Sequence, residues 1–204
     1  PEFASPAVRS CAMVGGNVCN ASPAGDLLPP LYAHRASVEL TSRSGSRTLP
    51  IEEFITGPGK TSIAAGELVT AITLPDAPGD YRFYRKVAAR RANALSKLSV
   101  YVAARTTAGQ VASIAIAVGA VAPTVVHLPG SDYDLFGLDA DGLVAAAPDV
   151  LAAYDAAMNP IDDQRSKAGY RRRTAIRLVE FVLTRDLPTH LRSHHDPSDT
   201  QEET

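Results

Sequence analysis

The sequence predicts an α+β fold in two pieces. A small N-terminal piece is built around a β-hairpin, and a three-stranded antiparallel sheet packed by helices on one face follows it. Three observations carry this expectation. Two strand-like runs flank Ser44-Gly45, and residues 75–81, Pro-Asp-Ala-Pro-Gly-Asp-Tyr, read as a linker. Beyond it, three β-rich runs joined by short turns precede two apolar stripes at helical spacing. A length of 204 residues suits one large domain or two small ones, and buries a core without help from disulfides or a structural metal.

The elements follow in order. Residues 36–50 form the hairpin, with Ser44-Gly45 as its turn. Ile51–Ile55 is too short for more than a helical turn, and Gly57-Pro58-Gly59 breaks the chain. Glu67 to Leu74 is apolar and β-branched, and Pro75 closes it as a strand. After the linker, Tyr81–Val87, Leu98–Ala104 and Val111–Val121 are the three sheet strands, with Ala108-Gly109 turning the chain between the last two. Leu143, Val144, Val150, Leu151 and Tyr154 make one helical stripe, in which Pro148 marks a break or a start. Ile176 to Leu183 makes the second, Pro188 ends it, and a polar tail occupies 191–204.

Composition excludes several classes. Twenty basic residues against 22 acidic ones give a net charge of −2, less basic than a protein held to DNA by phosphate contacts usually is. No apolar run approaches the roughly 20 residues of a membrane span. Cys11 and Cys19 are too few for a disulfide scaffold or a four-cysteine metal site. They read as reduced thiols of a cytoplasmic protein, with a pairing between them left open. The N-terminus has no charged-then-apolar leader, and Pro1-Glu2-Phe3 reads as residue left by a cloning site, so the natural chain is expected to start earlier.

Two glycine motifs stand out. Gly57-Pro-Gly-Lys-Thr61 resembles the end of a P-loop, but Phe54 stands where that motif needs its first glycine, so a Gly-Pro turn is the better reading. Val14-Gly15-Gly16-Asn17, followed by Ala21-Ser-Pro-Ala-Gly-Asp26, is richer. Paired glycines let backbone N–H groups approach an anion, and Asn17 and Ser22 add neutral donors. Asp26 either caps the helix that follows or accepts from a ribose hydroxyl. The plain alternative is a tight turn and an N-cap.

At this point the sequence resembles a known family. Cys11-Ala-Met-Val-Gly-Gly-Asn-Val-Cys-Asn-Ala-Ser-Pro-Ala-Gly-Asp26 is similar to the second flavin-binding loop of the xanthine dehydrogenase flavin subunit, within the molybdenum hydroxylases that include carbon monoxide dehydrogenase. The resemblance continues through Phe54–Thr61, Gly66–Pro75, Tyr84–Ser99, Gly119–Thr124 and Pro160–Arg171, in family order. It implies that residues 1–77 are the second half of a type 2 FAD-binding domain and that 78–190 are a carbon monoxide dehydrogenase flavoprotein C-terminal-like domain. Electrons would pass from a molybdopterin centre and 2Fe-2S clusters in partner subunits to FAD on this one, and then to NAD+.

The resemblance also assigns residues. Met13, Val14, Gly15, Gly16 and Asn17 match the loop around the FAD pyrophosphate. Asp26 matches an acidic FAD contact, and Val69 an apolar one. Lys86 matches a basic residue close to the flavin, with a solvated strand lysine as the alternative. Arg90, Arg91 and Asn93 match a loop near the isoalloxazine, and Asn93 departs from an acidic residue found in some relatives. No catalytic residue and no metal ligand is expected. Asp162 and Asp163 suit a helix start, where Arg165 and Arg171 could pair with them. Arg171-Arg172-Arg173 reads as a solvated face or, less often, a subunit contact. His34 and His127 have no candidate triad, and His194-His195 lacks spaced metal partners.

The first Gly-rich loop of the family has no counterpart in residues 1–13, so the 204 residues alone are expected to bind FAD weakly or not at all. Three other readings stay open: the flavin subunit of a carbon monoxide, aldehyde or heterocycle dehydrogenase, a non-catalytic subunit-interaction module, and an unrelated nucleotide binder using Gly57–Thr61.

Overall fold

The computed structural model describes residues 5–75, 79–90 and 95–193. Pro1-Glu2-Phe3, Arg91, Asn93, His194, His195 and part of the linker lie outside the described residues.

The N-terminal piece opens with two short helices, α1 (Pro6–Cys11) and α2 (Val14–Cys19). The Ser5 hydroxyl caps α1 by accepting from the Val8 amide. Helix α3 (Leu28–Ala33) follows, with prolines in its first turn, where an amide hydrogen would have no partner. Strands β1 (Ser37–Ser42) and β2 (Gly45–Pro50) form the expected hairpin, closed at Ser42↔Gly45 with Gly45 at φ +139°. The single turn α4 (Ile51–Phe54) buries Ile51 and Phe54. Strands β3 (Ile55–Gly57) and β4 (Lys60–Thr61) turn at Gly59, whose φ of +66° suits glycine. Strand β5 (Leu68–Thr73) pairs antiparallel with β1, giving the order β2-β1-β5.

The C-terminal piece is an antiparallel meander of β6 (Tyr81–Ala88), β7 (Ser96–Thr107) and β8 (Gln110–Gly119). A two-residue strand, β9 (Val126–His127), adds to β8. Period-two alternation splits the sheet into two faces. Leu98, Val100, Val102, Ala104, Ile114, Ile116 and Val118 pack against the C-terminal helices. Tyr101, Ala103 and Ala117 face α3 and the N-terminal core around Val18, Val38 and Phe54. The sequence predicts helices on one face only; α3 covers part of the other.

The C-terminal helices depart from expectation at both prolines. After α5 (Pro129–Tyr133), helix α6 runs from Ala140 to Ala157 straight through Pro148. Its start is instead set by Asp139, whose side chain accepts from the Gly142 amide at 2.8 Å. Burial of Leu143, Ala147, Val150 and Tyr154 holds the helix together across the hydrogen bond that Pro148 cannot donate. Helix α7 (Ala168–Phe181) passes through a π-helical turn, Val182–Asp186, into α8 (Leu187–Ser193). Pro188 therefore lies in the first turn of a helix and does not end one. Leu191, placed in the polar tail by sequence, is 1% exposed in the core.

Arg171 is likewise no solvated arginine. It is 4% exposed, donates to Asp163 Oδ1 at 2.5 Å and to the Ala120 carbonyl at 3.2 Å, and so ties α7 to the end of the sheet. Arg172 pairs with Asp155 at 2.6 Å. Cys11 and Cys19 are both free thiols.

Candidate functional site

The Gly-Gly motif does not form an extended loop. It is the first turn of α2, with Met13 as the residue before it. Met13 is 75% exposed and Val14 is exposed beside it, so the turn presents apolar side chains to solvent. A Cβ added at Gly15 would meet nothing within 4 Å, and one at Gly16 only Met13 Cβ at 3.9 Å. Both residues have helical backbone, where glycine costs about 1 kcal/mol relative to alanine. The fold therefore makes no demand for glycine at either position. Gly25 and Gly119 differ: a Cβ there would meet Ser22 O at 3.1 Å and Ser99 Oγ at 2.7 Å respectively. Those glycines serve packing, while Gly15 and Gly16 keep a backbone surface open.

Asn17 connects this turn to the next segment. Its amide donates to the Met13 carbonyl at 3.1 Å. Its side-chain Oδ1 is buried without a hydrogen-bond partner and lies beside Gly25. Such an atom is costly to leave unpaired, and it marks a place where a donor fits. Helix α2 packs beside β5, and Val69 on β5 sits half-buried against the same core as Val18. Cys19 on α2 has its thiol pushed up by burial, away from thiolate chemistry.

Asp26 does not cap α3, which has no side-chain cap. Its carboxylate instead accepts from Lys86 Nζ at 2.5 Å and from Ser96 Oγ at 3.1 Å. Both charged side chains are largely buried, Lys86 at 7% and Asp26 at 12% exposure, so Lys86 is not a solvated strand lysine. Lys86 lies on β6 opposite Ser99 of β7, on the face that α3 covers. The pair thus joins the N-terminal piece to the sheet. A carboxylate has about four lone-pair positions, and two contacts leave room to accept a further donor.

The structure gathers Met13, Val14, Gly15, Gly16, Asn17 and Val69 around α2 and β5. Gly25, which packs against Asn17, directly precedes Asp26, the partner of Lys86. Ser96 is the member that sequence reasoning missed. Its one signal is its place in a motif block, since a lone strand serine carries no pattern of its own. Gly57–Thr61, the rival nucleotide motif, is a tight turn between β3 and β4 whose Gly59 amide donates to Ala21 O at 3.0 Å. It does not cradle a phosphate.

The chemistry of this donor set fits FAD. Open glycine backbone and a neutral amide suit a pyrophosphate, exposed apolar residues suit a flavin ring, and a fixed carboxylate suits a hydroxyl-rich chain. Among the described residues no cluster of His, Cys, Asp and Glu could hold a metal ion, and no helix is long and apolar enough to cross a membrane.

Comparison with known proteins agrees. Residues 1–77 match the FAD binding domain in molybdopterin dehydrogenase, and residues 82–185 match the CO dehydrogenase flavoprotein C-terminal domain. The chain is 33% identical over 166 residues to the glyceraldehyde dehydrogenase medium chain of Sulfolobus acidocaldarius, covering 81% of this chain and 58% of that one. It is 33% identical over 128 residues to the putative xanthine dehydrogenase FAD-binding subunit of Escherichia coli, covering 62% and 44%. The fold superposes on reconstituted CO dehydrogenase from Oligotropha carboxidovorans with a TM-score of 0.79 at 27% identity, covering 88% of this chain and 62% of that one. The chain spans about half the length of the curated relatives it matches. With both domain families present in order, the chain belongs to the FAD-binding medium subunits of the molybdenum hydroxylase family.

Proposed function

We propose that this chain is the flavin-binding part of a cytoplasmic enzyme most like xanthine dehydrogenase. In this reading it docks with an iron–sulfur subunit and a molybdopterin subunit, receives electrons from 2Fe-2S clusters on FAD, and delivers them to NAD+. The single observation that carries the flavin assignment is the pair Gly15 and Gly16, glycines that the fold does not need and that leave backbone open at the start of α2.

FAD, when bound, supplies the two-electron chemistry. The chain's residues bind and orient it. Gly15 and Gly16 let the α2 backbone come close to a pyrophosphate without a Cβ in the way. Asn17 offers its side-chain amide, and Met13, Val14 and Val69 give apolar contact. Lys86 and Ser96 fix the Asp26 carboxylate so that its remaining lone pairs meet a hydroxyl in one orientation. By this reading the 204 residues alone hold FAD weakly or not at all and are inactive without the rest of the subunit, because half of the contacts are lost.

A second reading has support of its own: an aldehyde-oxidising enzyme, for which the glyceraldehyde dehydrogenase medium chain is as similar as the xanthine dehydrogenase subunit. Anaerobic stopped-flow on the assembled enzyme separates them. Xanthine should bleach the flavin absorbance and NAD+ should restore it. Bleaching by glyceraldehyde but not by xanthine would shift the assignment to the aldehyde branch, and failure of NAD+ to restore the colour would remove it as acceptor.

A further inference from the structure

The face of the sheet that α3 covers is only half covered. Cross-strand rows run Lys86–Ser99–Gly119, then Tyr84–Tyr101–Ala117, then Arg82–Ala103–Ala115, then Arg105–Ser113. Helix α3 lies over the first two. Pro29 meets Gly119, and His34 Nε2 meets the Tyr101 hydroxyl at 2.8 Å. The last two rows are left as the floor of a cavity of about 300 Å³, walled by the end of α3 and by α5. It lies at the opposite end of the sheet face from Lys86.

The cavity combines a flat apolar floor with two arginines, Arg35 and Arg105, in its lining. Ala103 and Ala115 leave room over the sheet, and Tyr133 and Phe136 stand at the wall with their rings edge-to-face at 5.0 Å. Arg35, Arg105, His34 and His127 line it. Arg35, which lines the cavity, sits in the left-handed region at φ +50°, a conformation uncommon for a non-glycine residue. Among the described residues its guanidinium makes one side-chain hydrogen bond, to the Tyr133 hydroxyl at 3.3 Å, and no ion pair. It has five N–H donors to offer. Arg82, one row along, stands near enough to His34 to disfavour its protonation, after burial does. The two nearby carboxylates are occupied. Asp132 is buried, accepts from the Ile116 amide at 3.0 Å and faces His127 at 3.6 Å. Glu52 lies 3.8 Å from the other His127 nitrogen and is also attracted to Arg35, without an ion pair to it.

We propose that this cavity is a second ligand site, distinct from the flavin cluster, that binds a small planar aromatic carboxylate with its ring on the alanine floor and its carboxylate on Arg35. Charge and shape choose the class. A guanidinium with spare donors takes a carboxylate in bidentate fashion, and alanines on a pleated sheet take a flat ring. The volume of about 300 Å³ suits one ring system rather than a peptide.

The test is heteronuclear NMR titration of the labelled chain with naphthalene-2-carboxylate, using neutral naphthalene-2-carboxamide as the control. The site predicts saturable shifts confined to Ala33–Arg35, Ala103–Arg105 and Tyr133, with a Kd below about 1 mM. The carboxamide should bind about ten-fold more weakly, and so should the acid to Arg35→Asn, a substitution that tolerates left-handed backbone. Ala115→Leu, which fills the floor, should abolish the shifts. Equal binding of acid and amide, no saturable shifts at this site, or unchanged binding to Arg35→Asn would each overturn the proposal. Saturation by a poly-glutamate peptide but not by the naphthoate would overturn it in favour of an acidic protein partner.

Discussion

The two faces of the β6–β9 sheet are built from different residues and covered to different extents. One carries leucine, isoleucine and valine and is sealed by α6, α7 and α8. The other carries alanine, tyrosine, serine and lysine and meets a six-residue helix, a buried ion pair and a cavity. The first face makes the domain stable. The second joins it to the N-terminal piece through directional contacts, and directional contacts can position a cofactor where a greasy interface would only hold it. The Asp26–Lys86 pair stands at one end of that face, and Glu52, His127 and Asp132 meet beside α5.

The largest expected effect lies on the sealed face. Ile116→Ala, at a side chain with no exposure, should cost about 4 kcal/mol in urea unfolding through lost burial and a cavity. A cost below about 1 kcal/mol would mean that this face is not the core. Lys86→Met tests the other face. It strands a buried carboxylate and should cost about 3 kcal/mol, with Lys86→Met/Asp26→Asn recovering most of it. Additive costs in the double variant would remove the pair as the joint between the pieces.

Asp132 gives a pH signature. Burial pushes its carboxyl up to about 6, against hydrogen bonding from Ile116 and attraction to His127. The Tyr154 hydroxyl lies 2.8 Å from the Ile116 carbonyl and 3.1 Å from Asp132 Oδ1, and its single proton serves one at a time. The unfolded chain ionises Asp132 near pH 4, while the folded chain resists until about 6. This group's contribution to stability therefore falls as pH rises from about 4 to 6 and is level above. Thermal unfolding of Asp132→Asn should gain on the parent across that window by about 3 kcal/mol. A stability difference independent of pH would contradict the assignment. The smallest effect is expected at Ala115→Leu, which enters open space and should cost less than about 1 kcal/mol in the same urea assay, where overpacking a tight core costs more.

Much of this division was legible in the sequence. The hairpin at Ser44-Gly45, the strand before Pro75 and the three main sheet strands follow from local pattern and turn chemistry, which act over a few residues. Pro148 and Pro188 misled because burial of Leu143, Val150 and Leu191 decides whether those helices continue, and burial is a tertiary property. The pairing of Arg171 with Asp163 was within reach of local sequence, but its burial and its bond to the Ala120 carbonyl, 51 residues earlier, come only with the fold. In the candidate site, the glycines and Asp26 stand in one motif and could be read together. Lys86 and Ser96 lie 60 and 70 residues beyond Asp26, and only the sheet brings them to it.

The flavin content of the full-length subunit carrying Gly15→Val and Gly16→Val tests the central claim most directly. Valine is a better helix former than glycine, and a Cβ meets nothing at Gly15 and only Met13 Cβ at 3.9 Å at Gly16, so the fold should keep its circular dichroism and melting temperature. The account predicts that bound FAD falls from near one per subunit to less than about a tenth, because the side chains occupy the space a pyrophosphate needs. A variant that folds and keeps its full complement of FAD would contradict it.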